Sequence, residues 1–204
     1  MVFSPLSRQE RFMARSSTKR RPVRSANTRT TRRQIDAPAR PLATHSGTVL
    51  PEWIDYNGHM NLSYYVLLFD SATDGFLEYL GLTPGIRARR NASTFSAEIH
   101  VHYLCELRVG DPVRITTQLL DHDARHIHYF HRMYHRNRGY LAATNELLSL
   151  YVDMEARRVT EIPPAMQRRL AALGRAHIRL SRPEQSGSII GIRRGVGNPR
   201  RTRA

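Results

Sequence analysis

The segment between Asn61 and Pro84 constrains this chain more than any other. Tyr65, Phe69, Ala72, Phe76 and Tyr79/Leu80 recur at helical spacing, with apolar residues over much of the girth between them. Asn61 is a good N-cap, because its side-chain oxygen can accept from the free N–H groups of a first turn. Gly81 stands one place after the last periodic residue, and Pro84 prevents resumption. The spacing predicts one helix of about twenty residues, buried on most sides.

The flanks supply the structure that must bury it. Gly47 to Ile54 reads as a short strand, and Asp55-Tyr56-Asn57-Gly58 as a sharp turn, since Asn-Gly tolerates positive φ. Ser96–Leu107 alternates, with Ile99, Val101 and Tyr103 on one side and His100, His102 and Leu104 on the other. Val113–Leu120, Ile127–His135 and Leu141–Val152 follow, separated by turn-forming residues. Pro163-Pro164 opens a short amphipathic helix, Ala165–Leu173. The order predicts an α+β domain over 45–181, an antiparallel sheet wrapped round one long central helix. A small sheet with a long free edge is expected to pair with a second copy, as a homodimer or homotetramer.

The net charge of +15 would by itself suggest a nucleic-acid partner. Its distribution argues otherwise. Residues 1–44 carry +9 and 182–204 carry +5, which leaves the 45–181 segment at +1. Both extensions are Arg-rich and poor in large apolar residues, so they are expected to be disordered. The N-terminal one is also Ser-rich and acid-poor, as an organelle transit peptide is; a start near residue 44 would account for it equally well. The expected location is cytoplasmic, or mitochondrial if the extension is a transit peptide. No apolar run approaches a membrane span. The one cysteine, Cys105, excludes an internal disulfide and a cysteine-based zinc cluster, and reads as a small buried residue.

Pro51-Glu52-Trp53-Ile54-Asp55-Tyr56-Asn57-Gly58-His59-Met60-Asn61, with Tyr65 after it, resembles the opening signature of hotdog-fold acyl-CoA thioesterases of the 4-hydroxybenzoyl-CoA thioesterase type. Arg108-Val109-Gly110-Asp111, Val152-Asp153, Arg157-Arg158 and Ile162-Pro163 match later landmarks in order, so the resemblance covers roughly 45–170. The wording around Asp55 is similar to the betainyl-CoA thioesterase subgroup, associated with carnitine breakdown. The resemblance implies a hydrolase that takes an acyl-CoA substrate and needs no cofactor or metal.

Thioester hydrolysis requires a nucleophile or activated water beside the carbonyl and donors for the developing oxyanion. The resemblance assigns the first role to Asp55, as nucleophile or general base, and the oxyanion donor to the backbone N–H of Leu62 at the helix start. His59 and Asn61 would orient Asp55 or the water. Glu146, in a strand otherwise apolar or small, is a further candidate carboxylate. Arg89, Arg90, Arg157 and Arg158 are expected in loops where they could meet the phosphates of CoA. Trp53, Tyr56, Tyr65 and Tyr103 could present aromatic faces to a trimethylammonium group.

Five histidines fall between 122 and 135, and His126 and His128 would share a strand face. No carboxylate or cysteine sits at matching spacing, so they read as an exposed polar face and not as metal ligands. Two other functions fit the same fold. Hotdog enoyl-CoA hydratases carry Asp-x-Asn-Pro-x-His, but this chain has Asp55-Tyr56-Asn57-Gly58-His59, with no proline and the histidine one place early. A non-catalytic acyl-CoA-binding or RNA-binding hotdog protein is the other.

Overall fold

The computed structural model describes residues 36–192; most of the two basic extensions lies outside the described residues. The fold opens with β1 (Leu42–Thr48), which starts before the Gly47 and residue-45 boundaries read from the sequence and stops short of Ile54. Pro51–Trp53 forms a single 3-10 turn instead, since Pro51 has no N–H for a sheet ladder.

Helix α1 (Leu62–Tyr79) forms where its periodicity places it, with the Asn61 side chain accepting from the Ser63 N–H. Its C-terminus closes through Gly81 at φ 91°, where the Leu82 N–H reaches the Leu77 carbonyl. Pro84 does more than stop that helix. It opens α2 (Pro84–Arg90), with the Thr83 hydroxyl accepting from the Ile86 N–H. Strand β2 (Ala92–Tyr103) therefore begins and ends a turn earlier than expected, and Leu104–Leu107 is loop. β3 (Pro112–His122), β4 (His126–His135) and β5 (Leu141–Asp153) follow the alternation closely. A two-residue β6 (Arg158–Val159) and a longer final helix, α3 (Pro164–His177), complete the described fold.

The sheet is antiparallel in the order β1-β3-β4-β5-β2, with β6 on β5. It curls round α1, the hotdog arrangement that the resemblance implies. Leu68, Phe69, Ala72, Phe76 and Leu77 of α1 are buried with Ile115, Leu119, Tyr129, Met133, Ala143 and Leu147 of the sheet. Against this helix β1 lies so close that a Cβ on Gly75 would collide with the Thr44 carbonyl. At the far end of α1, Arg169 of α3 donates to the Tyr79 carbonyl at 2.8 Å.

A chain of polar side chains crosses this core. Thr44, Thr117, His131, Thr73, Tyr129 and Ser149 are linked in sequence at 2.8 to 3.4 Å. His131 is fully buried and His135 nearly so, which corrects the reading of the five histidines as one exposed face. Burial drives the His131 imidazole down to about 3, so it is neutral in the folded protein, one ring nitrogen donating and the other accepting. An unfolded histidine takes up a proton near pH 6.5 and the folded one resists it. The contribution of His131 is thus complete above that pH and is lost as the pH falls towards 3. Stability is expected to drop by roughly 2 kcal/mol from this group between pH 7 and pH 5. Urea unfolding of the wild type and of His131→Gln checks this, and equal pH slopes in the two would contradict it.

Candidate active site

After β1 the chain runs along the loop between β2 and β3, with Val49 N–H donating to the Asp111 carbonyl and Gly110 N–H to the Val49 carbonyl. It then doubles back on itself. Ile54 bridges Met60, Asp55 N–H donates to the His59 carbonyl, and Gly58 N–H returns to the Asp55 carbonyl at 3.0 Å. Gly58 holds φ at 77°, the left-handed conformation that the Asn-Gly pair foretells. The loop is anchored at both sides: Met60 N–H donates to the Leu107 carbonyl at 2.7 Å, and Asn61 N–H to the Trp53 carbonyl at 2.9 Å.

This anchoring sets Asp55 beside the start of α1. One carboxylate oxygen accepts from the Asn57 N–H at 2.8 Å, and the other faces the Asn61 amide nitrogen at 3.4 Å. The Asn61 amide oxygen caps the Ser63 N–H at 3.0 Å. Asn61 therefore holds the carboxylate with one end of its amide and the helix with the other. The Leu62 N–H has no protein acceptor among the described residues, and it lies in the positive end of the helix dipole.

Asp55, His59, Asn61, Leu62 and Tyr65 line one cleft of about 380 Å³, together with Tyr103 to Glu106. Tyr65 and Tyr103 meet edge to face, with ring centroids 5.3 Å apart. Their hydroxyls are tethered to backbone. Tyr103 donates to the Leu62 carbonyl, and Tyr65 accepts from the Leu107 N–H at 3.1 Å. Burial pushes the Tyr65 phenol up to about 12, although the Leu107 N–H pulls the other way. It stays protonated and serves as a wall, not as a base.

Tyr56 also lines this cleft, at its rim, and is 97% exposed. The structure does not bring the remaining candidates here. Trp53 stacks on Tyr64 behind the loop. Arg89 and Arg90 end α2, Arg157 lies in the turn between β5 and β6, and Arg158 is the first residue of β6. These arginines flank the Ala92 end of β2, whereas the cleft takes in its Tyr103 end. The twelve residues of β2 separate the two ends, more than about 30 Å at strand rise. The cleft residues that sequence reasoning missed are Leu104, Cys105 and Glu106, because that stretch was read as strand. Cys105 is exposed and not a small core residue.

Glu146 is also elsewhere. Its neighbours Asn145 and Leu147 are buried towards α1, so by the pleat Glu146 projects from the opposite face. It bonds there with His128 at 2.8 Å and accepts from the Ser186 hydroxyl at 2.8 Å and the Gly187 N–H at 2.7 Å. Partial burial raises this carboxyl, but those three partners outweigh it and hold it below its ordinary value. Ser186 and Gly187, beyond the residue-181 boundary read from the sequence, are thus bonded to the sheet.

The fold and cleft define a hotdog protein with a carboxylate at the mouth of its central helix. The model of the thioesterase-like superfamily matches residues 49–170. The chain is 36% identical over 151 residues to the betainyl-CoA thioesterase of Pseudomonas aeruginosa, covering 74% of this chain and 95% of that protein. It is 37% identical over 150 residues to the L-carnitine dehydrogenase/betainyl-CoA thioesterase of Ruegeria pomeroyi, covering 74% of this chain and 30% of that longer protein. A Staphylococcus aureus protein solved in complex with CoA superposes with a TM-score of 0.70 at 29% identity, over 75% of this chain and 97% of that one. The chain belongs to the thioesterase-like superfamily, and it is a thioester hydrolase.

Replacing Asn61 by Ala removes both the cap on Ser63 and the amide facing Asp55. A loss of about 1 kcal/mol is expected from the cap alone, measured by urea unfolding at pH 7.

Proposed function

We propose that this chain hydrolyses the thioester of a small acyl-CoA, and that Asp55 and the first turn of α1 form its reaction centre. The observation that carries the reading is the pairing, in one cleft, of a half-buried carboxylate with an unsatisfied N–H at a helix N-terminus. The thioester carbonyl sits between them, its oxygen towards Leu62 N–H, where negative charge develops as the carbon becomes tetrahedral. Asp55 either adds to the carbon, forming an anhydride that water then opens, or takes a proton from a water that adds in its place. In both routes the carbon–sulfur bond breaks, the thiolate of CoA leaves and takes up a proton, and the acid is released. Asn61 keeps the carboxylate in place, and His59, on the same wall, orients the water. No proline follows Asn57, so the hydratase pattern is not met.

The names of the relatives support betainyl-CoA as the acyl donor and carnitine breakdown as its setting. The cleft suits that cation. Its carbonyl carbon and quaternary nitrogen are separated by one methylene, so the cation must lie beside the reacting carbon. The Tyr65 and Tyr103 rings line the same cleft as the Asp55 carboxylate and offer that cation aromatic faces. The working unit is a homo-oligomer joined through β2, whose outer edge has no strand partner in the described fold and which exposes Phe95, Ile99 and Tyr103.

Asp55→Asn is nearly isosteric but is neither nucleophile nor base. Turnover is expected to fall by about a hundredfold or more, with the unfolding midpoint unchanged; near-normal thiol release would refute the assignment. Betainyl-CoA should exceed its uncharged isostere, 3,3-dimethylbutanoyl-CoA, by about tenfold in kcat/KM, a preference worth one cation–aromatic contact. Equal rates would remove the betaine assignment and leave the thioesterase intact.

A further inference from the structure

The cleft around Asp55 is not closed at its Glu106 side. A second cavity of about 440 Å³ adjoins it and shares Cys105 and Glu106 as walls, and its other lining residues are Arg108, Asp111, Arg138 and Tyr140. A ligand whose reacting end lies at Asp55 and whose remainder is long has this cavity as its continuation. We propose that this second cavity is the receptor for the phosphates of the CoA moiety, with Arg138 as its principal cation and Arg108 as its second. The proposal rests on the acyl-CoA reading above and adds to it the place where the nucleotide end is held.

The charges in the cavity do not all remain available. Arg108 spends its Nε and Nη2 on Glu106 Oε1, at 3.1 and 2.6 Å, and its backbone N–H on Asp111 Oδ2 at 2.8 Å. Asp111 Oδ1 is engaged by His135 Nε2 at 3.3 Å. His135 Nδ1 accepts from the Arg138 N–H at 3.1 Å, so the histidine proton sits on Nε2 and points at Asp111. Both carboxylates of the cavity are therefore already partnered. The Arg138 guanidinium, by contrast, has no hydrogen-bonding or acidic partner among the described residues. It is near enough to Tyr140 to bear on its phenol, and the Tyr140 hydroxyl is turned away to donate to the Glu106 carbonyl at 3.2 Å.

Backbone geometry fixes where this cation stands. Asn137-Arg138-Gly139 makes the hairpin between β4 and β5, Gly139 at φ 76° allowing the reversal, and Arg136 N–H donates to the Pro112 carbonyl beside it. The hairpin is thereby docked on the same end of the sheet as the Arg108–Asp111 loop and the Asp55 loop. A planar guanidinium offers paired N–H groups that match two phosphate oxygens, which an ammonium does not. The arginines singled out from the sequence, Arg89, Arg90, Arg157 and Arg158, flank the other end of β2 in the same chain.

The test is calorimetric titration of CoA, dephospho-CoA and pantetheine into the full chain and into Arg138→Gln, Arg138→Glu and Arg90→Gln. Arg138 lies in an exposed turn and its side chain supports nothing else, so the variants should fold. Arg138→Gln is expected to weaken CoA by about tenfold, the worth of one charge-assisted hydrogen bond, and Arg138→Glu by more. Pantetheine should bind both variants as it binds the wild type, and Arg90→Gln should leave all three ligands unchanged. The KM for the acyl-CoA should rise in parallel while that for the acyl-pantetheine does not. Unchanged CoA affinity in both Arg138 variants, an equal loss for pantetheine, or a loss in Arg90→Gln instead would overturn the proposal. In each of those cases hydrolysis of the acyl-pantetheine by the wild type would leave the thioesterase reading standing. A chain that neither binds CoA nor hydrolyses either thioester would sink both.

Discussion

The geometry at the mouth of α1 depends on one amide side chain shared between two structures. Asn61 caps the helix through its oxygen and faces Asp55 through its nitrogen. A cap alone would leave the preceding loop free to place its carboxylate anywhere. A carboxylate alone would be one more turn aspartate. The two bonds together put a negative group and a free N–H on the same wall of one cleft. The loop that carries Asp55 is held in turn by the Leu107 and Trp53 carbonyls, so the carboxylate position is inherited from the sheet and not from the turn itself.

The sheet's pleat decides which side chains can join that site. Tyr103 reaches it from the α1 side of β2, and in the same ladder Ala143 opposes it. Glu146 is three residues further along β5 and on the other face, where His128, Ser186 and Gly187 satisfy it. Its low exposure follows from holding the segment after α3 against the sheet. A carboxylate in an apolar strand is costly unless partnered, and here the partners are structural.

Much of this was legible in advance. The helix, its Asn61 cap and its Gly81 stop are local signals, and local hydrogen bonds settled them. Strands β3, β4 and β5 alternate because one face of each packs on α1. The misplacements share a cause. The ends of β1 and β2 depend on neighbours far away in sequence, such as Asp111 for Val49 and Asp153 for Ala92. His131 looks in sequence like the partly exposed His126 and His128, and only the placement of Thr73 and Thr117 around it makes burial tolerable. Arg138 went unremarked because it looks like any hairpin arginine. What distinguishes it is that the acids lining the same cavity, Glu106 and Asp111, are engaged by Arg108 and His135, which is visible only once three loops are assembled at one end of the sheet.

The position of the thioester carbonyl decides whether Asp55 and the start of α1 are the reaction centre. A crystal structure of the Asp55→Asn chain with an unhydrolysed acyl-CoA bound gives the answer directly. The carbonyl oxygen is expected within hydrogen-bonding distance of the Leu62 N–H, with the carbonyl carbon facing residue 55. A carbonyl held anywhere else, on the Glu146 face for example, would contradict it.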